Sequence, residues 1–417
     1  MKIPSLTTPC DGLKHHHAPS ARHFHNALPA SAVVHMSSVS MGKRRILYVA
    51  NVDFAFLHRL PMARAAKRAG FEVHVATRTE GLKQAIEAED FIVHEIPFRR
   101  GLSPISGIRT ILALRHLERV VGPDIIHCAG MQSCVYESLT MGTRRVSQIN
   151  AITGLGYVFT SSTWKSRILR TIIRRILPRL LNRNASVVLV ENLDDQRDLV
   201  ALGVDQERIV HIPGSGVDTD RFQPLPEPKG PITFGFAGRL LADKGIRALV
   251  CAHGILREQG HDFRLLIAGK PDPANPASIP LEEVEDWAQR PGITWLGHLS
   301  DIVLLWTRCH FAVLPSHREG LPVSLLEAAA CGRAMVATDA PGCREIVIQD
   351  ETGLLVPVEN VKELANALLS LAVSSELRDR YGRAARDLVV RRLSAKIVGA
   401  AIIDLYNRLA PARVSRP

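Results

Sequence analysis

Two glutamates, Glu319 and Glu327, stand eight residues apart in the stretch HREGLPVSLLEAAACG. Pro322 suits the first turn of a helix, where a missing N–H is no loss, and Gly332 suits its carboxyl-terminal cap. The spacing therefore predicts a helix from about Pro322 to Ala330. Glu319 then lies in the preceding loop and Glu327 in the second turn. The free N–H groups at the start of the helix can bind a phosphate, and the loop carboxylate of Glu319 beside them can bind sugar hydroxyls. The carboxylate of Glu327, one turn further along the helix, can accept hydrogen bonds from both vicinal hydroxyls of a ribose.

Two cations, Arg239 and Lys244, follow an apolar run in the stretch AGRLLADKG, whose first glycine is Gly238. A departing nucleoside diphosphate needs positive charge where its own negative charge develops. Taken singly, a loop glutamate is usually solvated, and an Arg and a Lys at this spacing are usually a surface pair. Their joint position after strands of one predicted domain favours a functional site over a set of unrelated surface residues.

Short apolar runs separated by helical periods must position these side chains, and such runs indicate buried parallel strands in β-α-β units. The stretch FQPLPEPKGPI at 222–232 holds four prolines and a glycine and predicts an interdomain linker. We expect two doubly wound domains in tandem, with ligands bound at the carboxyl ends of their strands. The predicted strands are 45–50, 71–77, 91–97, 123–128, 186–192 and 208–214 before the linker, and 232–238, 263–269, 293–297, 311–315, 334–339 and 353–357 after it.

The domain prediction divides the chain into four parts. Residues 1–40 contain HHH without accompanying acidic or Cys ligands, which favours a disordered tail or an extension upstream of Met41 over a metal site. An amino-terminal Rossmann-like domain is predicted over 41–225 and a carboxyl-terminal one over 226–394. A last helix, in 395–417, is expected to pack back on the amino-terminal domain.

The composition is that of a globular chain of 417 residues, with 46% hydrophobic and 22% charged residues. We see no transmembrane stretch and no secretory signal. Seven cysteines without a C-x-x-C pair favour reduced thiols in the cytosol and argue against zinc or a disulfide framework.

The net charge of +11 is concentrated between Glu137 and Glu191, where nine basic residues and no acidic one occur. Within this block, WKSRILRTIIRRILPRLLNR at 164–183 has one broad apolar helical face. Two interpretations stay open: a helix lying on an anionic membrane, or an ordinary helix with its apolar face in the core. The side chains proposed for membrane contact are Arg167, Arg170, Arg174 and Arg175.

The E-x7-E pattern resembles the signature of the family 4 glycosyltransferases, which have the GT-B fold, and the likeness covers about 41–409. The amino half looks like the branch that builds bacterial surface polysaccharides. The matching segments are PGSGVDTDRF, FAGRLLADKG, WLGH, LPSHREGLPVSLLEA and ATDAPGCREIV, with HRLPMARAAKRAGFEVHVAT and AITGLGYVF in the amino half.

The resemblance implies a donor site in the carboxyl-terminal domain. Arg239 and Lys244 would bind the donor diphosphate, and Glu319 would contact the transferred sugar; these three are the expected catalytic residues. Glu327 would bind the ribose of the nucleotide. Gly320, Leu321 and Pro322 would bring backbone N–H groups to the sugar and phosphate. Gly214 and Gly216 would form a turn near the cleft floor, and Gly297 and His298 would lie near the base. Gly238 is a further donor-side residue.

The acceptor side is less defined by the resemblance. The stretch ANVDFAFLHR lacks the glycine-rich turn of many relatives, and NAITGLG lacks the histidine that some relatives carry, so no general base is assigned. His58, His127, Thr153 and Gly154 are the acceptor-side candidates. Asp218-Thr219-Asp220 is interpreted as loop and helix-start chemistry. The resemblance implies no cofactor and no metal in the site.

We therefore expect a retaining glycosyltransferase that moves a sugar from a nucleotide-sugar, preferably a UDP-sugar, to a lipid-linked or polysaccharide acceptor in exopolysaccharide, capsule or O-antigen synthesis. Its expected location is the cytoplasmic face of the cell membrane. A nucleotide-sugar epimerase or sugar phosphorylase on the same fold stays open, as does an inactive scaffold. A nucleic-acid-binding protein is suggested by the pI near 9.6, but the basic block lacks interleaved aromatic residues.

Overall fold

The computed structural model describes residues 43–99, 104–140, 146–152, 174–183 and 186–411. These residues form two sheets in which every pairing of named strands is parallel. The first sheet has seven strands in the order β3-β2-β1-β4-β5-β6-β7, and the second has six in the order β10-β9-β8-β11-β12-β13. The predicted pair of doubly wound α/β domains is confirmed.

The strands are β1 (Arg45–Ala50), β2 (Glu72–Thr77), β3 (Ile92–Glu95), β4 (Ile125–Ala129), β5 (Ser147–Ile152), β6 (Ser186–Val190), β7 (Ile209–His211), β8 (Thr233–Ala237), β9 (Arg264–Ala268), β10 (Ile293–Gly297), β11 (Phe311–Leu314), β12 (Ala334–Thr338) and β13 (Gly353–Val356). The α-helices are Asp53–Leu57, Leu60–Arg68, Lys83–Glu87, Pro104–Val121, Met131–Thr140, 174–181, Leu193–Ala201, Ile246–Glu258, Leu281–Gln289, Val303–Trp306, Val323–Ala330, Val361–Val373, Ser375–Leu388 and Ala395–Leu409.

Strand β5 is absent from the sequence prediction because it is not an apolar run. Its side chains Gln148 and Asn150 are polar and fully buried. Gln148 Nε2 donates to Asn150 Oδ1 at 2.8 Å, and Asn150 Nδ2 donates to Ser186 Oγ on the neighbouring strand at 2.7 Å. These hydrogen bonds satisfy polar groups that would otherwise make burial unfavourable.

Two separate cores flank the first sheet. One contains the helices before β2 and the last helix of the chain, and the other contains the helices Pro104–Val121, Met131–Thr140 and 174–181. The last helix thus packs on the amino-terminal domain. Tyr406 from that helix forms hydrogen bonds of 2.7 Å with the hydroxyl of Tyr48 and with Nδ1 of His127.

Two helical stretches are interrupted in the structure. The stretch after β1 breaks between Leu57 and Leu60. The helix Ser375–Leu388 ends at Leu388, after which Val389–Leu393 forms a π turn. No helix among the described residues combines the length and the apolar composition needed to cross a bilayer.

The segment before β8 is fixed to the second domain. Leu225 N donates to Cys331 O at 3.1 Å, and the buried guanidinium of Arg333 donates to the carbonyl oxygens of Leu225 and Pro226 at 3.2 and 2.8 Å. The proline-rich stretch is therefore packed on the surface of the second domain and is not a free linker between the two domains.

Candidate functional site

Lys244 and Glu319 meet at the carboxyl edge of the second sheet. Their loops follow the paired strands β8 and β11, which bring both loops to the same edge. Lys244 Nζ lies 2.5 and 2.6 Å from the two carboxylate oxygens of Glu319. The side chains are 19% and 10% exposed, so the ion pair is largely withdrawn from water and still accessible from the cleft.

The Lys244 loop is shaped by a glycine. Lys244 ends a 3-10 turn, and Gly245 follows it with a φ of 68°, in the left-handed region. A Cβ at Gly245 would stand 1.9 Å from the carbonyl oxygen of Pro315 in the Glu319 loop. The two loops are further joined by His317 N, which donates to Asp243 O at 2.9 Å.

The Glu319 loop is held by hydrogen bonds of its own. Ser316 Oγ donates to Glu319 Oε1 at 2.6 Å, and Glu319 N donates to Pro341 O at 3.0 Å. Gly342, with a φ of 78°, passes so close that a Cβ there would stand 2.7 Å from the carbonyl oxygen of Glu319. The carboxylate is thus positioned before any ligand binds.

The helix after this loop begins at Val323, one residue later than predicted, and Pro322 is its N-cap. Pro322 has no N–H, so the prediction that it donates a backbone hydrogen bond is wrong. Gly320, Leu321 and Val323 carry the N–H groups of this turn. Gly332, with a φ of 71°, follows the C-cap and its N–H donates to Ala329 O at 2.9 Å.

Gly214 and Gly216 allow two close contacts beneath this loop. A Cβ at Gly214 would lie 2.6 Å from Leu321 Cδ2, and a Cβ at Gly216 would lie 2.7 Å from Ala395 Cα. Both glycines have positive φ angles. The segment before the linker is therefore packed against the donor-side loop and the start of the last helix.

Glu327 projects from the second turn of the helix and is largely buried. Desolvation raises its pKa to about 8, and Arg221 opposes this rise. Within the described part of the chain its carboxyl group has no hydrogen-bond partner. A buried carboxyl group in this condition is suited to a ligand that supplies hydroxyl groups.

Arg239 occupies a more open position than Lys244. Its Nη1 lies 3.2 Å from Asp272 Oδ2, and its side chain is exposed. It is close enough, together with Lys244, to lower the pKa of His58. The structure therefore places Arg239 on the same side of the cleft as the Lys244–Glu319 pair, without direct contact to it.

Glycines end three neighbouring strands of the second sheet. Gly238 N donates to Ala268 O at 3.0 Å, and Gly269 N donates to Gly297 O at 2.7 Å. A Cβ at Gly269 would stand 1.8 Å from Gly238 O. Gly269, which the sequence analysis did not single out, is required for this approach, and His298 lies exposed just beyond Gly297.

His58 lies at the carboxyl end of β1, on the opposite domain. Its side chain is exposed. Desolvation by the protein around it, with the nearby cations Arg59, Arg239 and Lys244, lowers its pKa. Phe54, which sequence reasoning missed, is exposed and contacts His58 edge-on with ring centroids 5.3 Å apart.

The loop carrying these residues is fixed without glycine. Asp53 is buried, and its carboxylate accepts hydrogen bonds from the backbone N–H groups of Phe54, Glu80 and Leu82 at 2.6 to 3.0 Å. This carboxylate joins the loops after β1 and β2, where the sequence offered no glycine-rich turn.

His127 is wrongly assigned to the acceptor side. It is fully buried, hydrogen-bonded to Tyr406 and stacked on Tyr48 with ring centroids 4.9 Å apart. Burial holds its pKa well below the usual value. His127 therefore packs the last helix against the first sheet and cannot reach a ligand. Thr153 and Gly154 lie outside the described residues, so their assignment stays a prediction.

The basic block is described only in part. Arg167 and Arg170 lie outside the described residues, whereas Arg174 and Arg175 are exposed on the helix 174–181. On the same helix Leu177, Leu180 and Leu181 are buried. For this part of the block, the apolar face belongs to the protein core and cannot enter a membrane.

The start of the helix Leu193–Ala201, in the first domain, contacts the loop of the second domain that carries Glu319, which we call the donor loop. Asn192 caps this helix by accepting from Asp195 N at 2.7 Å, and its Nδ2 donates to Gly320 O at 2.8 Å. Arg318 forms ion pairs with the buried Asp195 and with Asp198. Burial raises the pKa of Asp195, and Arg318 opposes this rise. Sequence reasoning missed Asn192 and Arg318.

A third ion pair extends this contact between domains. Arg344 Nη1 lies 2.7 Å from Asp194 Oδ2, and Leu193 N donates to Glu345 Oε1 at 3.2 Å. Acidic residues at a helix start also complement the partial positive charge of that helix end.

Among the described residues no cluster of three His, Cys, Asp or Glu side chains is arranged to hold a metal ion.

Two family models match the chain. Residues 217–388 match the model described as "Glycosyl transferases group 1", and residues 45–192 match "Glycosyl transferase 4-like". Together they span most of both domains and include Arg239, Lys244, Glu319 and Glu327.

Two curated relatives are similar over nearly their full length. The chain is 26% identical over 384 residues to N,N'-diacetylbacillosaminyl-diphospho-undecaprenol alpha-1,3-N-acetylgalactosaminyltransferase of Campylobacter jejuni, covering 88% of this chain and 99% of the relative. It is 22% identical to the capsular polysaccharide biosynthesis glycosyltransferase CapM of Staphylococcus aureus, covering 82% and 91%.

Solved structures share the fold. Anabaena Alr3699/HepE in complex with UDP and glucose aligns with a TM-score of 0.72 at 17% identity, covering 87% of this chain and 99% of that one. Sucrose-phosphate synthase from Thermosynechococcus elongatus aligns with a TM-score of 0.73 at 19% identity, covering 88% and 99%.

Proposed function

Because the chain belongs to the glycosyltransferases of the group 1 and 4-like families, with the GT-B fold, we propose that it moves a sugar from a UDP-sugar to a lipid-linked or oligosaccharide acceptor. The proposed setting is bacterial exopolysaccharide, capsule or O-antigen synthesis. The observation that carries the proposal is the Lys244–Glu319 pair, held at the carboxyl edge of the second sheet beside the helix start at Val323.

The donor diphosphate is proposed to bind between the cations and the helix start. Lys244 and Arg239 offset the negative charge that grows on the leaving diphosphate, and the free N–H groups of the turn at Gly320 and Leu321 add fixed dipoles. Lys244 is already held by Glu319 and the surrounding loops, so little reorganisation is needed when the charge develops.

Glu319 is proposed to orient the transferred sugar through its hydroxyl groups, and Glu327 to bind the ribose. The reaction is proposed to retain the anomeric configuration, with the leaving diphosphate helping to take the proton from the incoming hydroxyl. The protein then contributes mainly orientation and charge stabilisation. No metal or cofactor is part of this proposal.

The acceptor is proposed to approach from the first domain, where His58 and Phe54 face the cleft. A lipid-linked acceptor would hold the enzyme at the inner face of the cell membrane as a peripheral protein. The net charge of +11 and the exposed Arg174 and Arg175 support attraction to an anionic surface.

A thermal-shift screen tests the donor site. UDP, GDP, ADP and their sugars are added to the purified protein with and without magnesium, and a specific stabilisation by UDP compounds without metal is expected. Glu327→Gln should reduce the UDP shift, whereas Glu258→Gln, at an exposed glutamate at the far end of the helix Ile246–Glu258, should not. Absence of any shift with all nucleotides would overturn the donor assignment.

A further inference from the structure

The helix Pro104–Val121 carries an exposed apolar stripe at its amino end. Ile105 is 71% exposed, and Ile108 and Leu112 are each 59% exposed. Their spacing of three and four residues places them on one face of the helix. The opposite face is buried and includes Leu114, and it packs in the core of the first domain.

The same exposed face becomes cationic toward the carboxyl end of the helix. Arg109, Arg115 and Arg119 are exposed there, together with His116. The single acidic residue of this helix, Glu118, is buried and accepts a hydrogen bond from Thr140. The exposed face therefore combines apolar and positively charged side chains and carries no acidic residue.

The helix 174–181 lies on the same side of the first sheet, beyond the helix Met131–Thr140, and adds to this charge. Arg174, Arg175 and Arg179 are exposed on it, and so is Ile176. Leucines of both helices contribute to one core, so the two helices form one layer. We call the outer side of this layer, made by Ile105, Ile108, Arg109, Leu112, Arg115, His116, Arg119, Arg174, Arg175, Ile176 and Arg179, the basic-apolar surface.

The position of the stripe relates it to the cleft. The helix Pro104–Val121 follows β3, so its amino end lies toward the carboxyl edge of the first sheet. His58 and Phe54 lie at the same edge, after β1. The apolar end of the helix is thus at the side of the domain from which an acceptor would enter.

We propose that the basic-apolar surface docks the protein on an anionic lipid bilayer, with Ile105, Ile108 and Leu112 entering the interface and the arginines contacting the headgroups. Cations that flank a short apolar stripe, with no acidic residue between them, are suited to an anionic membrane interface. The apolar stripe that enters the interface is thereby assigned to the helix Pro104–Val121, outside the block 164–183, whose described leucines are buried. From that block, Arg174, Arg175 and Arg179 contribute charge at the headgroups. This inference rests on the proposed lipid-linked acceptor.

Vesicle co-sedimentation of the full chain tests the inference. The vesicles are phosphatidylcholine alone and phosphatidylcholine mixed with phosphatidylglycerol, and wild-type protein should bind the anionic mixture and be released by salt. The variant Ile105→Ser/Ile108→Ser/Leu112→Ser should bind at least about tenfold more weakly, since each side chain loses apolar surface that the interface covers. The variant Arg115→Glu/Arg119→Glu reverses two charges, and binding to the anionic vesicles should weaken by at least about fivefold for each arginine replaced.

Matched controls come from the second domain. Leu281→Ser/Val373→Ser changes two exposed apolar side chains there, and Lys362→Glu/Arg392→Glu reverses two exposed charges. Both should bind vesicles as the wild type does. UDP stabilisation is measured for every variant, and it should be unchanged because none of these residues lies in the donor site.

The outcomes separate the two proposals. Equal vesicle binding by the wild type and by the variant Ile105→Ser/Ile108→Ser/Leu112→Ser would overturn the docking inference. A second outcome would also overturn it: the wild type does not bind anionic vesicles and forms dimers that the Ile105→Ser/Ile108→Ser/Leu112→Ser variant does not form. The apolar stripe would then join two copies of the chain. In either case an intact UDP shift leaves the transferase proposal standing, whereas loss of the UDP shift in the wild type contradicts that proposal instead.

Discussion

At the scale of single residues, the Lys244–Glu319 pair is the feature on which the proposed chemistry depends. Lys244→Ala and Glu319→Ala should each lower kcat by about a hundredfold or more, because each removes a charge fixed at the reacting centre. Initial rates of sugar transfer measure the effect. Arg247→Ala, which removes an exposed cation paired with Glu283 on the same domain, is the matched control and should leave the rate near normal.

Each single variant also leaves its buried partner uncompensated, which itself destabilises a protein. The double variant Lys244→Met/Glu319→Gln removes both charges and should recover most of the thermal stability lost in the single variants. Its activity should stay low. Recovered activity in the double variant would show that the pair has only a structural role.

Glu327 provides a second residue-scale prediction, based on protonation. Its pKa is raised to about 8 by burial, so at pH 7 the free protein holds this carboxyl group mostly protonated. Ribose hydroxyls that donate to the carboxylate favour its ionised form, so UDP binding should release a proton and strengthen as the pH rises toward 8.

Titration calorimetry in buffers of different ionisation enthalpy measures that proton release. It should be present in the wild type and absent in Glu327→Gln. It should also shrink with 2′-deoxyuridine diphosphate, which offers one hydroxyl fewer. Equal proton release by the wild type and by Glu327→Gln would remove Glu327 from the ribose site.

At the scale of elements, the start of the helix Leu193–Ala201 couples the first domain to the donor loop through Asn192. Asn192→Ser keeps a side-chain oxygen that can cap the helix but removes the amide that donates to Gly320 O. We expect kcat/KM for the donor to fall by about fivefold, the value of one hydrogen bond.

Asn360→Ser is the control for that change. Asn360 caps the helix Val361–Val373 by accepting from Glu363 N, and it lies outside the site. The two variants should have similar Tm values, while only Asn192→Ser loses activity. Equal kinetic effects in both would show that helix capping, and not the contact with Gly320, matters.

Elements also show where sequence reasoning succeeds. Apolar runs identify twelve of the thirteen strands in the described residues, because buried parallel strands are apolar on both faces. The thirteenth, β5, is invisible to that criterion, since Gln148 and Asn150 are buried through hydrogen bonds to groups that only the fold brings near. Periodicity likewise gave no indication of the break at His58, where the buried Asp53 carboxylate fixes the loops.

At the scale of the whole molecule, contacts between distant segments account for what the sequence could not reveal. His127 follows a strand like a site residue, yet its partner Tyr406 lies 279 residues away on the last helix. Glu319 and Lys244 were brought together as expected because the loops of paired parallel strands share one edge. Asn192 and Arg318 connect the first domain with the donor loop. Their contacts depend on how the two domains pack, which no local sequence pattern predicts.

The membrane surface is also a property of the whole molecule. The sequence drew attention to the arginines of 164–183, because charge is easily counted along a chain. Which apolar side chains remain exposed depends on packing, and the structure exposes those of Pro104–Val121 and buries Leu177, Leu180 and Leu181. The surface proposed here therefore joins residues that the chain separates by more than fifty positions.

The most direct test of the central claim is transfer of labelled sugar from a panel of UDP-sugars into an extract containing polyprenyl-diphosphate-linked acceptors. We predict that the wild type moves label from one UDP-sugar into the organic phase only when the extract is present, and that Glu319→Ala does not. Conversion of the UDP-sugar to another nucleotide-sugar without acceptor would contradict the account and indicate an epimerase. An unchanged donor with every extract and every UDP-sugar would contradict it as well.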